Sequence, residues 1–221
     1  MCGRVQRSHG PDGLEFMGTR VSSELRSDAE ILHDAMREAV STSPHSFLRT
    51  RADIEAVPPD VWVDEIRSSR WAVAQQLDGS VVGVAASKRP NPAVDSEDPA
   101  TSRYIESVWI HPRLRRKLLG ERLIKYLFAA EYCTNQHIRQ FVLWVYATNA
   151  AAMRLYEHIG FERTPERNVE RGVRGTRTEI KYRLDFDPEV HTTVSLVAGR
   201  GRRHHQLHRG VTYRVLGQSG G

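Results

Sequence analysis

Two stretches of this chain combine residue types that could do chemistry together. In the first, an apolar run ending at Val108, Trp109 and Ile110 gives way to His111-Pro112 and the basic stretch Arg113, Arg115, Arg116 and Lys117. An apolar periodic run then begins at Leu118, Leu119 and Gly120. That order reads as strand, turn, helix. A helix N-terminus exposes unpaired N–H groups and about half a positive charge, so cations gathered there favour a polyanion such as a pyrophosphate. In the second, Asn149 and Tyr156 stand seven residues apart. Two helical turns place them on one face, where the amide can cap the helix and the phenol can look into the same cleft.

These segments resemble the GNAT acetyltransferases, whose loop reads Arg/Gln-x-x-Gly-x-Gly/Ala after a strand and whose second signature is Asn-x-x-Ala-x-x-Leu-Tyr-x-x-x-Gly-Phe. Here the first reads Ile110-His111-Pro112 then Arg115-x-x-Leu118-x-Gly120. The second reads Asn149-x-x-Ala152-x-x-Leu155-Tyr156-x-x-x-Gly160-Phe161. The resemblance is clear from Tyr104 to Phe161 and general over Thr19 to Phe186. It implies a mixed α/β (α+β) single sheet flanked by helices, with a splayed cleft between two central parallel strands. It also implies acetyl-CoA as cosubstrate, held by Val108, Trp109, Ile110, Arg115, Arg116, Lys117, Leu118, Leu119, Gly120, Glu121, Asn149 and Tyr156. Tyr156 then protonates the departing thiolate, and backbone N–H groups near Val108 to Ile110 polarise the thioester carbonyl. The pattern has glycine where this chain has Leu118, a residue expected to point away and keep φ negative.

An amine of pKa about 10.4 must lose a proton before it attacks. Glu106, on the strand before the basic loop, is the expected base, directly or through a water chain that could use His111 instead. Trp144 stands where the related ribosomal-protein Nα-acetyltransferases carry a Glu.

Elements that must position these groups follow from pattern. A strand-like stretch over Thr19–Arg26 precedes a capping box, Ser27 with Glu30, and a helix with Ala29, Leu32, Ala35, Met36 and Ala39 inward. Ser41–Pro59 reads as a connection expected to help select the acceptor, and Asp60–Ser69 as a second helix. Trp71–Leu77 and Ser80–Ser87 flank Asp78-Gly79, a hairpin with a type I′ turn, with Val82, Val84 and Ala86 on one face. A loop, a strand over Arg103–Ile110, a helix over Leu119–Cys133 and a strand over Phe141–Ala147 follow. Next come a helix from Asn149 to Gly160, an acceptor-selecting loop over Arg163–Arg177 and a last strand over Thr178–Phe186.

The composition suits one globular core of roughly 150 to 170 residues. The expected division is an extension over 1–16, an acetyltransferase domain over 17–187 and a basic tail over 188–221. Arg200, Arg202, Arg203, Arg209 and Arg214, with no acidic residue after Glu189, equal the net charge of +5, so the rest is near neutral. That tail is expected to be disordered and dispensable for acetylation, so that truncation after Phe186 leaves activity intact. His204, His205 and His208 have a spacing that could hold a metal, but Gly and Arg surround them and no metal is expected. Two cysteines, Cys2 and Cys133, fit a reducing cytoplasm. The expected partner is an amine acceptor, with a small molecule favoured and a protein N-terminus or lysine as the runner-up. Membrane and nucleic acid are not expected partners, and the resemblance leaves a homodimer open. A catalytically silent acyl-CoA sensor is the rival reading.

Overall fold

The first two strands of this chain bury apolar side chains on both faces, which forces helices onto both sides of their sheet. The computed structural model describes residues 23–172, 175–191 and 210–217. In chain order these form α1 (Ser23–Thr42), α2 (Arg51–Glu55), α3 (Pro59–Ser68), β1 (Arg70–Gln76), β2 (Val81–Lys88) and β3 (Ser102–Ile110). Then come α4 (Leu119–Thr134), β4 (Gln140–Tyr146), α5 (Ala150–Ile159), β5 (Glu162–Gly172), β6 (Gly175–Asp185), α6 (Pro188–His191) and β7 (Val211–Val215). The strands make one mixed sheet, ordered β5-β6-β4-β3-β2-β1-β7, in which only β3 and β4 pair in parallel.

Two cores lie on its two faces. Ile105, Phe141, Leu143, Val145, Ile180, Tyr182 and Leu184 pack against α4 and α5. Trp71, Val73, Val84, Ala86 and Trp109 pack against α1 and α3. The α/β architecture, the helices and the strands around the two signatures agree with the sequence reading.

Five local expectations are corrected. Helix α1 already runs from Ser23, so Ser27 is interior and no capping box forms there; Leu25, seven residues before Leu32, extends the apolar stripe by a turn. The Asp78-Gly79 turn has positive φ only at Gly79, and the Gly79 N–H donates to the Gln76 carbonyl. That is a type I turn followed by a left-handed glycine, not type I′. A bulge between β1 and β2 sends Val82 to the α4 side while Val84 and Ala86 stay against α1 and α3. Arg163–Arg177 is not a loop but most of the β5–β6 hairpin. Its cross-strand pairs Glu162 with Arg183 and Glu170 with Arg177 are opposite charges, a stabilising pattern that reads as polar sequence.

The fifth correction concerns the basic tail. Val211–Val215 is a strand on the sheet edge, paired with β1 along five residues. Tyr213 and Leu216 are buried, one in each core. Asp28 of α1 accepts from Arg214 Nη1 at 2.6 Å and from the Gly217 N–H at 2.8 Å. The strand therefore belongs to the domain. Residues 1–22 and His204, His205 and His208 lie outside the described residues.

Candidate functional site

Strands β3 and β4 hydrogen-bond only through Ser102–Gln140, Arg103–Phe141 and Tyr104–Val142. Beyond Tyr104 they part. The cause is local: an extra residue in β3 opposite Val84–Ala86, with Ser107 at φ +55, bends its second half away. The backbone of Glu106 to Ile110 is left without a β4 partner, and Val108 to Ile110 border the gap. At the closed end of the V, the Glu131 carboxylate sits between Arg103 and Arg70 (3.2 and 3.0 Å), which fixes the apex.

At the open end, α4 begins with an uncapped N-terminus: Leu118, the N-cap residue, makes no side-chain cap bond. Arg116 and Leu118 both take left-handed φ (+61 and +59). The expectation that Leu118 keeps φ negative is therefore wrong. Its side chain is 56% exposed, so solvent accommodates what a buried site would not. Alternating backbone hand of this kind turns successive N–H groups inward to a concave anion cradle. No acceptor among the described residues takes the amides of Arg116, Lys117, Leu118, Leu119, Gly120 or Glu121, whereas the next, Arg122, already donates to Leu118. Gly120 serves packing as well, since a Cβ there would meet Leu155 Cδ2 of α5 at 3.0 Å.

The basic side chains of this junction divide. Arg116 and Lys117 are exposed, and their side chains make no hydrogen bond or ion pair among the described residues, so they are free to meet an anion. Arg115 is occupied: Nε donates to the Ile110 carbonyl (3.0 Å) and Nη2 to Ser43 Oγ (2.6 Å). Glu121 is engaged by Lys125 at 2.9 Å and by His158 Nε2 at 3.4 Å. Trp109 is buried, its Nε1 donating to Thr42 Oγ1.

Asn149 caps α5, its Oδ1 accepting from Ala152 N at 3.2 Å, and Gly160 ends the helix at φ +110. Tyr156 lies in the core beneath the sheet, edge-on to Phe161 at 5.8 Å, with no hydrogen-bond partner among the described residues. Burial pushes its phenol above the ordinary range, so it stays protonated.

Glu106 lies on the opposite face. It pairs with Ala86, which packs against α1 and α3, while its neighbour Ile105 packs against α4. Its carboxyl is half-buried and makes no hydrogen bond among the described residues; burial raises its pKa, Lys88 and Arg49 oppose this, and Glu65 adds to it. His111 is turned elsewhere: Nδ1 accepts from Arg113 N and Nε2 faces Glu38 at 3.8 Å. Of the two proposed relays, geometry leaves Glu106 beside the gap.

Of the rest of that face, the sequence reading singled out only Trp144. Tyr104, Trp144 and Tyr146 line β3 and β4 there, with Lys181 and Glu179 on β6. Lys181 is ion-paired with Glu97 and stands 5.6 Å over the Trp144 ring, while Tyr104 Oη donates to Glu97 at 2.7 Å. Burial opposes ionisation of Glu97, but Lys181 and Tyr104 outweigh it and hold its carboxyl below the usual range. The one signal in the sequence was the alternation of Trp144 and Tyr146 in a strand read as simply apolar. A separate cavity of about 810 Å3 lies between α1 and α3, lined by Trp62, His33 and Glu30, and holds none of the signature residues. Among the described residues no cluster suits a metal, and no helix is long and apolar enough to cross a membrane.

Known proteins share this architecture. Ribosomal-protein-alanine N-acetyltransferase from Brucella melitensis superposes with a TM-score of 0.57 at 20% identity, covering 76% of this chain and 98% of that one. An acetyltransferase of the GNAT family from Streptococcus pneumoniae gives 0.58 at 17%, covering 73% and 95%. The yncA protein of Salmonella typhimurium, solved with its cofactor acetyl-CoA, gives 0.55 at 22%, covering 76% and 92%. At these identities the likeness speaks for the fold. No curated protein sequence matches this chain. The model of the acetyltransferase (GNAT) family matches residues 30–161, both signatures included, and this chain, well over half of it spanned by that match, belongs to the family.

Proposed function

We propose that this protein transfers the acetyl group of acetyl-CoA to a small-molecule primary amine by direct attack in a ternary complex. The observation that carries this is the pairing of six unsatisfied amides at the mouth of a splayed strand pair with a proton acceptor and a proton donor on opposite faces of the sheet. Arg116–Glu121 grip the diphosphate, the pantetheine arm runs along the gap between β3 and β4 beside Asn149, and the thioester lies between the faces.

The chemistry divides accordingly. On the α1/α3 face, Glu106 takes a proton from the ammonium, directly or through water. The freed amine attacks the thioester carbon, and the N–C bond forms while amides of Val108 to Ile110 hold the oxyanion. As the C–S bond breaks, Tyr156 donates to the sulfur from the other face. The amide nitrogen sheds its second proton, and the phenolate is restored through solvent. A phenol of raised pKa is a weak acid, so Tyr156 acts as a hydrogen-bond donor until the thiolate carries full charge.

The acceptor reading is supported by the walls of the amine side. Glu106 and Glu179 supply negative charge and Tyr104, Trp144 and Tyr146 supply flat apolar surface, while Lys181 is neutralised by Glu97. A cationic amine on an apolar or aromatic body fits that lining. Trp144, in place of the strand Glu of the Nα-acetyltransferases that this family includes, favours a small amine over a protein N-terminus.

The test is a screen of amines and peptides with acetyl-CoA, reading free thiol above hydrolysis, followed by a pH profile on the best acceptor. Glu106 works only when ionised and its pKa is raised, so the rate climbs with pH through a limb above the usual carboxylate range. Glu106→Gln should abolish that limb and cost about a hundredfold in rate. Absent acetyl-CoA binding by calorimetry would overturn the reading. Binding with no thiol release to any acceptor would point instead to the silent acyl-CoA sensor.

A further inference from the structure

The guanidinium of Arg115 reaches two acceptors that belong to different parts of the chain. Nε donates to the Ile110 carbonyl, the last residue of β3, at 3.0 Å. Nη2 donates to Ser43 Oγ at 2.6 Å, and Ser43 is itself only 8% exposed. Ser43 opens a 3-10 turn over Pro44–Ser46, directly after α1. A second link runs parallel, from Trp109 Nε1 to Thr42 Oγ1 at 3.1 Å. The near end of the turn is thus fastened to the β3–α4 junction.

Its far end is fastened to the other limb of the V. Arg177 of β6 donates through Nη1 to the His45 carbonyl at 3.0 Å and to that of Phe47 at 3.5 Å, while its guanidinium lies 5.0 Å over the Tyr146 ring. Asn149 Nδ2 reaches Ser46 Oγ at 3.5 Å. Residues 43–47 therefore bridge the strands where they are farthest from their shared ladder, on the side from which Glu106 is reached.

We infer that Arg115 is a positioning residue that couples the phosphate-binding junction to the acceptor wall, not a ligand of the diphosphate. This rests on the reading that the junction holds acetyl-CoA. A planar fork can satisfy the β3 carbonyl and the serine hydroxyl at once, in fixed geometry; a lysine ammonium keeps the charge but not the fork. Arg116 and Lys117, exposed and with no hydrogen bond or ion pair of their side chains among the described residues, are left to meet the phosphates. Any displacement of the junction on loading the donor is passed through Arg115 to the turn that shapes the amine's approach.

The test separates charge from bridging. Acetyl-CoA calorimetry at several salt concentrations, hydrogen exchange of residues 43–47, and steady-state kinetics with the best amine of the screen are measured for wild type, Arg115→Lys, Ser43→Ala and Lys117→Ala. Expected is that Arg115→Lys and Ser43→Ala keep acetyl-CoA affinity within about twofold, speed exchange in 43–47 by about tenfold, and raise the KM for the amine about fivefold with that for acetyl-CoA unchanged. Lys117→Ala should do the reverse, weakening acetyl-CoA binding and flattening its salt dependence while leaving 43–47 alone. Unchanged exchange and amine KM in Ser43→Ala, or a fall in acetyl-CoA affinity in Arg115→Lys to match Lys117→Ala, would overturn the assignment. Failure of wild type to bind acetyl-CoA would sink the function proposed above and not the bridge, which exchange reads without ligand.

Discussion

The two sides of the β3–β4 gap are built from different materials. The proposed donor side is mostly backbone: six amides and a bend at Ser107, shaped within one short stretch of chain. The proposed acceptor side is mostly side chains, brought from α1, the 89–101 loop, β3, β4 and β6. Backbone geometry tolerates substitution as long as φ and ψ are reachable, whereas a wall of side chains changes with each residue. One side can therefore stay constant while the other is altered freely.

Tyr156 is the point where the donor side does depend on one side chain, and the largest effect is expected there. Tyr156→Phe keeps the ring packed against Phe161 and removes only the hydroxyl. The turnover should fall by about a thousandfold, roughly 4 kcal/mol in the barrier, with acetyl-CoA affinity unchanged in calorimetry. An unaltered turnover would mean that the sulfur leaves without help, and the contrast between the two sides would lose its sharpest exception.

The next effect concerns the ground on which the acceptor wall stands. Helix α1 carries that wall at its C-terminal end and is pinned near its start through Asp28 to Arg214 and Gly217. Asp28→Ala leaves Arg214 partly buried without its carboxylate and should cost about 3 kcal/mol in urea unfolding, while the folded fraction still binds acetyl-CoA. Truncation after Phe186 should be worse, since it strips Tyr213 and Leu216 from both cores. A truncated protein of unchanged Tm would show that β7 is an ornament of the edge.

The smallest effect has the opposite sign. Leu118 holds a left-handed conformation that costs an L-residue roughly 1 kcal/mol, and its exposed side chain returns little. Leu118→Gly should raise stability by about 1 kcal/mol in denaturant unfolding and leave acetyl-CoA binding intact or slightly tighter. Loss of stability would mean that the leucine packs on something the bare domain lacks.

The same contrast explains what could be read from the sequence. Arg115 to Gly120 and Asn149 to Phe161 are contiguous, their spacing encodes helix entry and helix face, and both elements stand where expected. The V was legible only through the family, because no local pattern announces that a ladder stops after Tyr104. Glu97 and Lys181 are invisible as site residues, and Arg177 is visible only as one end of an acceptor-selecting stretch, since each acquires its partner across a long stretch of chain. β6 from Thr178 onward reads as the strand it is, whereas β5 reads as a loop because Glu162-Arg163, Glu166-Arg167 and Glu170-Arg171 stand as adjacent charged pairs around Pro165 in place of an apolar–polar alternation. β7 is hidden in the same way, by Arg209 before it and Arg214 within it, which make Val211, Tyr213 and Val215 look like part of a solvated tail. Arg115 is hard to read for the opposite reason: a cation at a helix entry fits an anion site so well that its hydrogen bond to Ser43 leaves no sign in the sequence.

The link between Asp28 and Gly217 joins positions 189 residues apart. A contact of such separation cannot begin to form during synthesis until nearly the whole domain has left the ribosome, so α1, among the first elements made, must wait for its anchor. The signature strands and helices can assemble earlier, and the half-closed protein then presents the open edge of β1 as a template for other strands. A bulky fusion joined close behind Gly217 would prolong that exposure and show itself as aggregation rather than as lost catalysis.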